Sequence, residues 1–162
     1  NKQFWGIHWE YFAVFVRQET KNILEKENIK GITFSNPVLN KKNVEIDRFY
    51  QLHIDTILDN GFDSYNTKTI TCKINNEENC NTDINLKCCG RIKFHHPRVG
   101  GYLFDKSIFN TDFDIVQSNE YFGSGASANR IQIVSKRFKD LVEKNKLKGL
   151  LFTPIVHDRL VR

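Results

Sequence analysis

The chain has 162 residues, 40% of them apolar and 27% charged, with a formal net charge of +5. That length supports one domain with a buried core, or two small pseudo-repeated halves sharing a sheet. No apolar run approaches the roughly 20 residues that span a bilayer, and the opening NKQFWGIHWEYF lacks the basic-then-apolar layout of a secretory signal. No membrane association is therefore expected, and the expected location is cytoplasmic. The chain contains no methionine and starts at Asn1, which predicts a processed or truncated piece of a longer protein.

In chain order, Trp5, Trp9, Tyr11, Phe12 and Phe15 predict an apolar strand or helix packing on a sheet. YFAVFV reads as a strand, Thr20, Ile23 and Leu24 as one face of a helix, then Gly31 and ITF as a turn and a second strand. NVEIDRFYQLHIDTIL alternates for part of its length and predicts one or two strands. NGF, with Asp63, Ser64 and Asn66, marks a turn. TKTITCKI is a strand by its β-branched residues, and the polar NNEENCNTDIN is a loop leading into LKCCGRIKF. Asp112 and Asp114 in NTDFDIV share one face at strand spacing, which a turn or a solvated edge explains as well as paired acid–base chemistry does. YFGSGASAN is a hairpin or loop without the flanking residues of a phosphate-binding loop.

NRIQIVS then alternates as a half-buried strand, and Ser135 is placed to cap a helix whose face is Phe138, Leu141 and Val142. Gly149 stands where a left-handed residue is expected after the helix, with Lys144, Lys146 and Lys148 near the negative end of its dipole. LLFTPI continues as a buried strand.

An internal repeat organises these elements. VRQETKNILEKENIKGITF (16–34) and VSKRFKDLVEKNKLKGLLF (134–152) align at a constant offset of 118 with seven of nineteen residues identical. The identities are Val16/Val134, Lys21/Lys139, Glu25/Glu143, Lys26/Lys144, Lys30/Lys148, Gly31/Gly149 and Phe34/Phe152. The expected fold is a single α+β domain over 1–162. Two strand–helix–strand pseudo-repeats, about 10–38 and 130–156, surround a mostly antiparallel sheet, with a cysteine-containing β-rich insert at 40–125 between them.

The basic balance, with a pI near 9.0, suits an acidic partner. The lysines are interleaved with Glu and Asn as on solvated helix faces, so nucleic acid is not the expected partner. Cys72, Cys80, Cys88 and Cys89 lie within eighteen residues, spaced for either a metal site or disulfides. Adjacent cysteines rarely bond to each other. A structural zinc site wants four ligands and usually a C-x2-C knuckle, which is absent. The candidate ligands are the four cysteines, with His95 and His96 as alternates, and the competing reading is a thiol cluster without metal. Cysteine–histidine catalysis has no supporting oxyanion motif, and no catalytic residues are expected.

The order VRxExxxxLxxxxIKGI, a β-rich middle ending in Cys89–Gly90, then DFDIVQSNE and IQIVSKRFKDLVEKNKLKGLLFTPI, resembles the double-CXXCG motif family of bacterial proteins. The ending also resembles immunity-type proteins of polymorphic toxin systems. The resemblance implies binding without catalysis: an antitoxin-like protein that neutralises a cognate protein toxin, with structural zinc as its cofactor. Carried over by position, Cys89–Gly90 matches the end of the second motif, whose first cysteine falls on Leu86, and the first motif would precede Asn1. That departure leaves a complete metal site in doubt. Trp5, Trp9, Tyr102, Tyr121 and Phe122 are the expected partner-binding anchors, since aromatic residues dominate interface hot spots. The alternative function is a zinc-ribbon-like nucleic-acid-binding module.

Overall fold

Two nine-residue helices form where the apolar spacing calls for them, and the strands beside them are paired across long stretches of chain. The computed structural model describes residues 2–7, 10–39, 44–63, 69–71, 92–97, 101–109, 112–123 and 128–156. Trp9 and all four cysteines lie outside these residues, and with them the cysteine-bearing stretch 72–91 of the expected insert.

The elements are β1 (Phe4–Ile7), β2 (Glu10–Arg17), α1 (Gln18–Lys26), β3 (Ile32–Ser35), β4 (Val38–Leu39), β5 (Val44–Glu45), β6 (Phe49–Ile54) and β7 (Thr69–Thr71). They continue with β8 (Ile92–Phe94), β9 (Tyr102–Leu103), a 3-10 turn (Lys106–Phe109), β10 (Ile115–Gln117), β11 (Tyr121–Phe122), β12 (Gln132–Val134), α2 (Lys136–Lys144) and β13 (Ile155–Val156). Strands β1, β2, β6 and β3, in that order, make an antiparallel four-stranded sheet. Strand β10 pairs antiparallel with β12. Strand β8 takes β7 antiparallel on one side and β11 parallel on the other, and β13 runs parallel to β9. Among the described residues the architecture is thus α+β, with mostly antiparallel pairing.

Local chemistry explains the helices. Ser135 accepts a hydrogen bond from the Phe138 amide at 3.1 Å and caps α2, as its position predicts. Helix α1 has Arg17 at the corresponding place and no side-chain cap; instead the Gln18 amide donates to the Arg48 carbonyl at 3.1 Å. Both helices end alike. After α1, Asn28 N–H donates to Glu25 O and Ile29 N–H to Leu24 O; after α2, Lys146 N–H donates to Glu143 O and Leu147 N–H to Val142 O. This is the Schellman ending, and it puts Asn28 and Lys146 at φ 50° and 53°.

The left-handed residue that closes each helix is therefore not the glycine. Gly31 and Gly149, at φ 92° and 114°, serve a second purpose. Each lets the chain press its backbone onto a strand from the other end of the sequence. The Lys30 carbonyl accepts from the amides of Asp114 and Ile115, and the Lys148 carbonyl accepts from those of Gln3 and Phe4.

Two cores result. In the first, Phe4, Val16, Leu24 and Leu52 meet Ile115, Phe138, Leu141 and Val142 between the sheet and the helices. In the second, Phe104, Phe122, Leu58, Val116 and Ile133 pack together. The β10–β12 ribbon lies between them: Ile115 faces the first and Val116 the second. Each fully buried apolar side chain contributes about 1.5–3 kcal/mol.

One expected strand is absent. Residues 150–154 carry no strand, Leu151 is 94% exposed, and pairing resumes only at β13. The matching stretch after α1 does form β3, because β6 is beside it to complete the hydrogen bonds. Apolar residues favour a strand only where a partner edge is available.

Candidate functional site

Two surfaces collect candidate functional side chains. The first is the outer face of the four-stranded sheet. Strand alternation turns Phe4, Val14, Val16 and Leu52 toward the first core and leaves Trp5, Phe15, Arg17 and Phe49 on the other side. Trp5 stacks on Phe15 with centroids 6.3 Å apart and meets Phe49 edge-on at 5.3 Å. The Arg17 guanidinium lies 5.9 Å from the Phe49 centroid, and its buried Nε has no acceptor. With Lys2 and the half-exposed Val38 these residues line a depression of about 620 Å3.

Further along this face Ser35 Oγ and His53 Nε2 are 2.7 Å apart near solvent. Among the described residues no carboxylate is hydrogen-bonded to His53, so nothing there orients the ring as a catalytic base requires.

The second surface is a cleft of about 1010 Å3 over the second core. Glu120, 8% exposed, lines it and accepts from the amides of Gly61 and Phe62 at 2.7 and 2.9 Å. Ser118 Oγ, itself fully buried, donates to the Glu120 carbonyl and accepts from Ile131 N–H, fixing the turn that presents the carboxylate. Arg130 lies 5.0 Å over the Tyr121 ring and reaches Asn119 Oδ1 at 3.4 Å, and Asn119 in turn donates to Asn60 Oδ1. Sequence reading had no signal for this cluster: Glu120 meets its partners across 58 and 59 positions of chain.

The expected anchors separate. Trp5 belongs to the outer face. Tyr121 is half-buried beside Arg130. Phe122 is fully buried against Phe62, Phe94 and Tyr102, so it is a core residue and not a surface anchor. Tyr102 is partly buried, its hydroxyl lies 2.6 Å from His96 Nδ1, and burial raises its pKa above the ordinary tyrosine value.

The His96 ring also stacks near Phe122 at 6.2 Å, and both His95 and His96 are exposed. Contact with Tyr102 occupies Nδ1 of His96 and leaves Nε2 as the nitrogen that could reach a metal. Among the described residues no three His, Cys, Asp or Glu side chains converge on one point. The proposed cysteine ligands lie outside those residues. If the chain carries the metal that the resemblance implies, protein purified without chelator will hold about one equivalent of zinc. Elemental analysis giving less than about a tenth of an equivalent would remove the metal.

These features define an α+β protein with an aromatic and cationic sheet face on one side and a polar cleft over its second core. No family model, curated protein or solved structure matches the chain.

Proposed function

We propose that the protein is an immunity protein, binding and neutralising a cognate bacterial toxin in the cytoplasm without catalysing a reaction. The observation that carries this reading is the outer sheet face, where Trp5, Phe15 and Phe49 surround Arg17. Tryptophan and arginine are the residues most enriched at interface hot spots. The unmet Arg17 Nε, the adjacent Lys2 and the net charge of +5 call for an apolar patch rimmed by carboxylates on the toxin. Docking would give Arg17 its missing acceptor while the rings lose water. Inhibition would then be steric or by clamping. Residues 10–38 and 130–156 are read as two copies of one unit, supported by the shared helix endings and by the reciprocal backing of Gly31 and Gly149 on opposite strands.

Co-expression tests the function. Wild-type protein should rescue cells that express the toxic product of the adjacent upstream gene. Trp5→Ala and Arg17→Glu should each weaken toxin binding by about 2 kcal/mol or more, roughly thirtyfold in Kd, with circular dichroism unchanged. A neighbouring gene without toxicity, together with no cost of deletion during contact with kin, would end the immunity reading. Binding unchanged in both variants would move the interface elsewhere.

A further inference from the structure

We infer that the cleft between Glu120 and Arg130 binds a planar carboxamide, a group offering an N–H donor and a C=O acceptor side by side. Oε1 of Glu120 is taken by the amides of Gly61 and Phe62, but its buried Oε2 has no hydrogen-bond partner. Arg130 lines the same cleft, and its buried Nε has no acceptor. One unmet group accepts and the other donates. Each costs about 1–3 kcal/mol when left buried, and more when charged. A direct ion pair would satisfy both, yet the two side chains do not form one. The guanidinium is held over Tyr121 and by Asn119, and the carboxylate by the backbone at Gly61 and Phe62.

These two valences select the ligand. An ammonium ion would satisfy Glu120 and leave Arg130 unmet. A carboxylate or phosphate would satisfy Arg130 and face the charge of Glu120. A carboxamide satisfies both, and Phe62 and Phe94, edge-on at 5.2 Å, offer an apolar wall to a flat ring. Water carries the same two valences but occupies only about 30 Å3, far less than this cleft, and is the competing occupant. The amide can come from a small aromatic carboxamide or from a Gln or Asn side chain of a bound protein segment. The site is separate from the outer sheet face and does not depend on the toxin-binding proposal.

The test is a 15N-edited NMR titration of the whole chain with benzamide, benzoate and benzylamine. Benzamide should shift the amide signals of Gly61, Phe62 and Asn119, with benzoate and benzylamine at least roughly tenfold weaker. Glu120→Gln keeps an oxygen for the Gly61 and Phe62 amides but turns Oε2 into a donor, and it should weaken benzamide by roughly tenfold or more. Stronger shifts from N-acetyl-glutamine methylamide than from benzamide would assign the amide to a protein segment; the reverse would assign it to a small molecule. No shift at about 50 mM of either amide would mean that water fills the cleft and would overturn the inference. Equal shifts from benzylamine or benzoate would also overturn it, since charge alone would then select the ligand. The selectivity series is read on the wild-type chain, so it stands even if the variant fails to fold.

Discussion

Alanine at Gly31 or at Gly149 is expected to destabilise the protein by about 3 kcal/mol or more in each case. Two costs add. At φ 92° and 114° a residue with a Cβ sits in backbone space that side chains rarely enter, a penalty of about 1–2 kcal/mol. The new Cβ would also overlap the Ile115 carbonyl oxygen at position 31 and the Phe4 carbonyl oxygen at position 149. Both approaches are well inside the 3.0 Å that real Cβ atoms respect.

The obstructing atoms are backbone, so no rotamer change relieves the overlap. The strands must part, which loosens the hydrogen bonds from Asp114 and Ile115 to Lys30 O, or from Gln3 and Phe4 to Lys148 O; each is worth about 1 kcal/mol. Urea denaturation should show midpoints lowered by roughly 1–2 M. Gly6→Ala is the control: its Cβ would meet nothing nearer than the Ala13 oxygen at 3.5 Å, and the expected change is within about 0.5 kcal/mol. Midpoints for Gly31→Ala and Gly149→Ala equal to that control would show that backbone contact does not hold the two ends together.

Asp114→Ala should cost about 2–3 kcal/mol. The carboxylate is buried and joins three segments. Its Oδ2 accepts from the Lys30 amide at 3.0 Å and pairs with Arg137 at 2.6 Å, while its Oδ1 accepts from Ser135 Oγ at 2.8 Å. Arg137 also donates to the Glu27 carbonyl, so one acidic residue links the end of α1 to the start of α2. Truncation leaves the Lys30 amide and Ser135 hydroxyl short of a partner.

The loss falls below that of a fully buried ion pair because the Arg137 side chain is 51% exposed and regains water. Asp140→Ala, which removes the exposed Lys136–Asp140 pair, should change stability by less than about 0.5 kcal/mol. Thermal unfolding of Asp114→Ala, Arg137→Ala and the double variant gives the coupling directly. A coupling near zero would contradict the linking role.

Asp114 also shows where sequence reading stops. Its spacing from Asp112 predicts one shared strand face, but β10 begins only at Ile115 and neither aspartate lies in it. The two residues differ entirely in environment. Asp112 is exposed and pairs with the Lys30 side chain, whereas Asp114 is buried and accepts from the Lys30 backbone. Nothing local distinguishes them, because Lys30 is 84 positions away from Asp114.

The same boundary runs through the candidate sites. Trp5 stood out by its chemistry, but the ring cluster that makes it a surface feature depends on β6 delivering Phe49 across β2. Phe122 was equally conspicuous and is core, because Phe62 and Phe94 arrive from other strands and loops to cover it. Glu120 and Arg130 were silent in the sequence, since their significance is that no partner reaches one atom of each.

The sequence by itself determined the two helices: their apolar faces, the Ser135 cap and the glycine positions that follow them. Those features arise from interactions within about one helical turn, where chain spacing sets geometry. The tertiary structure alone decided that LLFTPI lacks its strand, that Gly31 and Gly149 back opposite strands, and that a carboxylate and a guanidinium share a cleft without pairing. Each depends on backbone or side-chain groups brought together from distant positions, and the partners for such groups are set by packing and not by neighbouring residues.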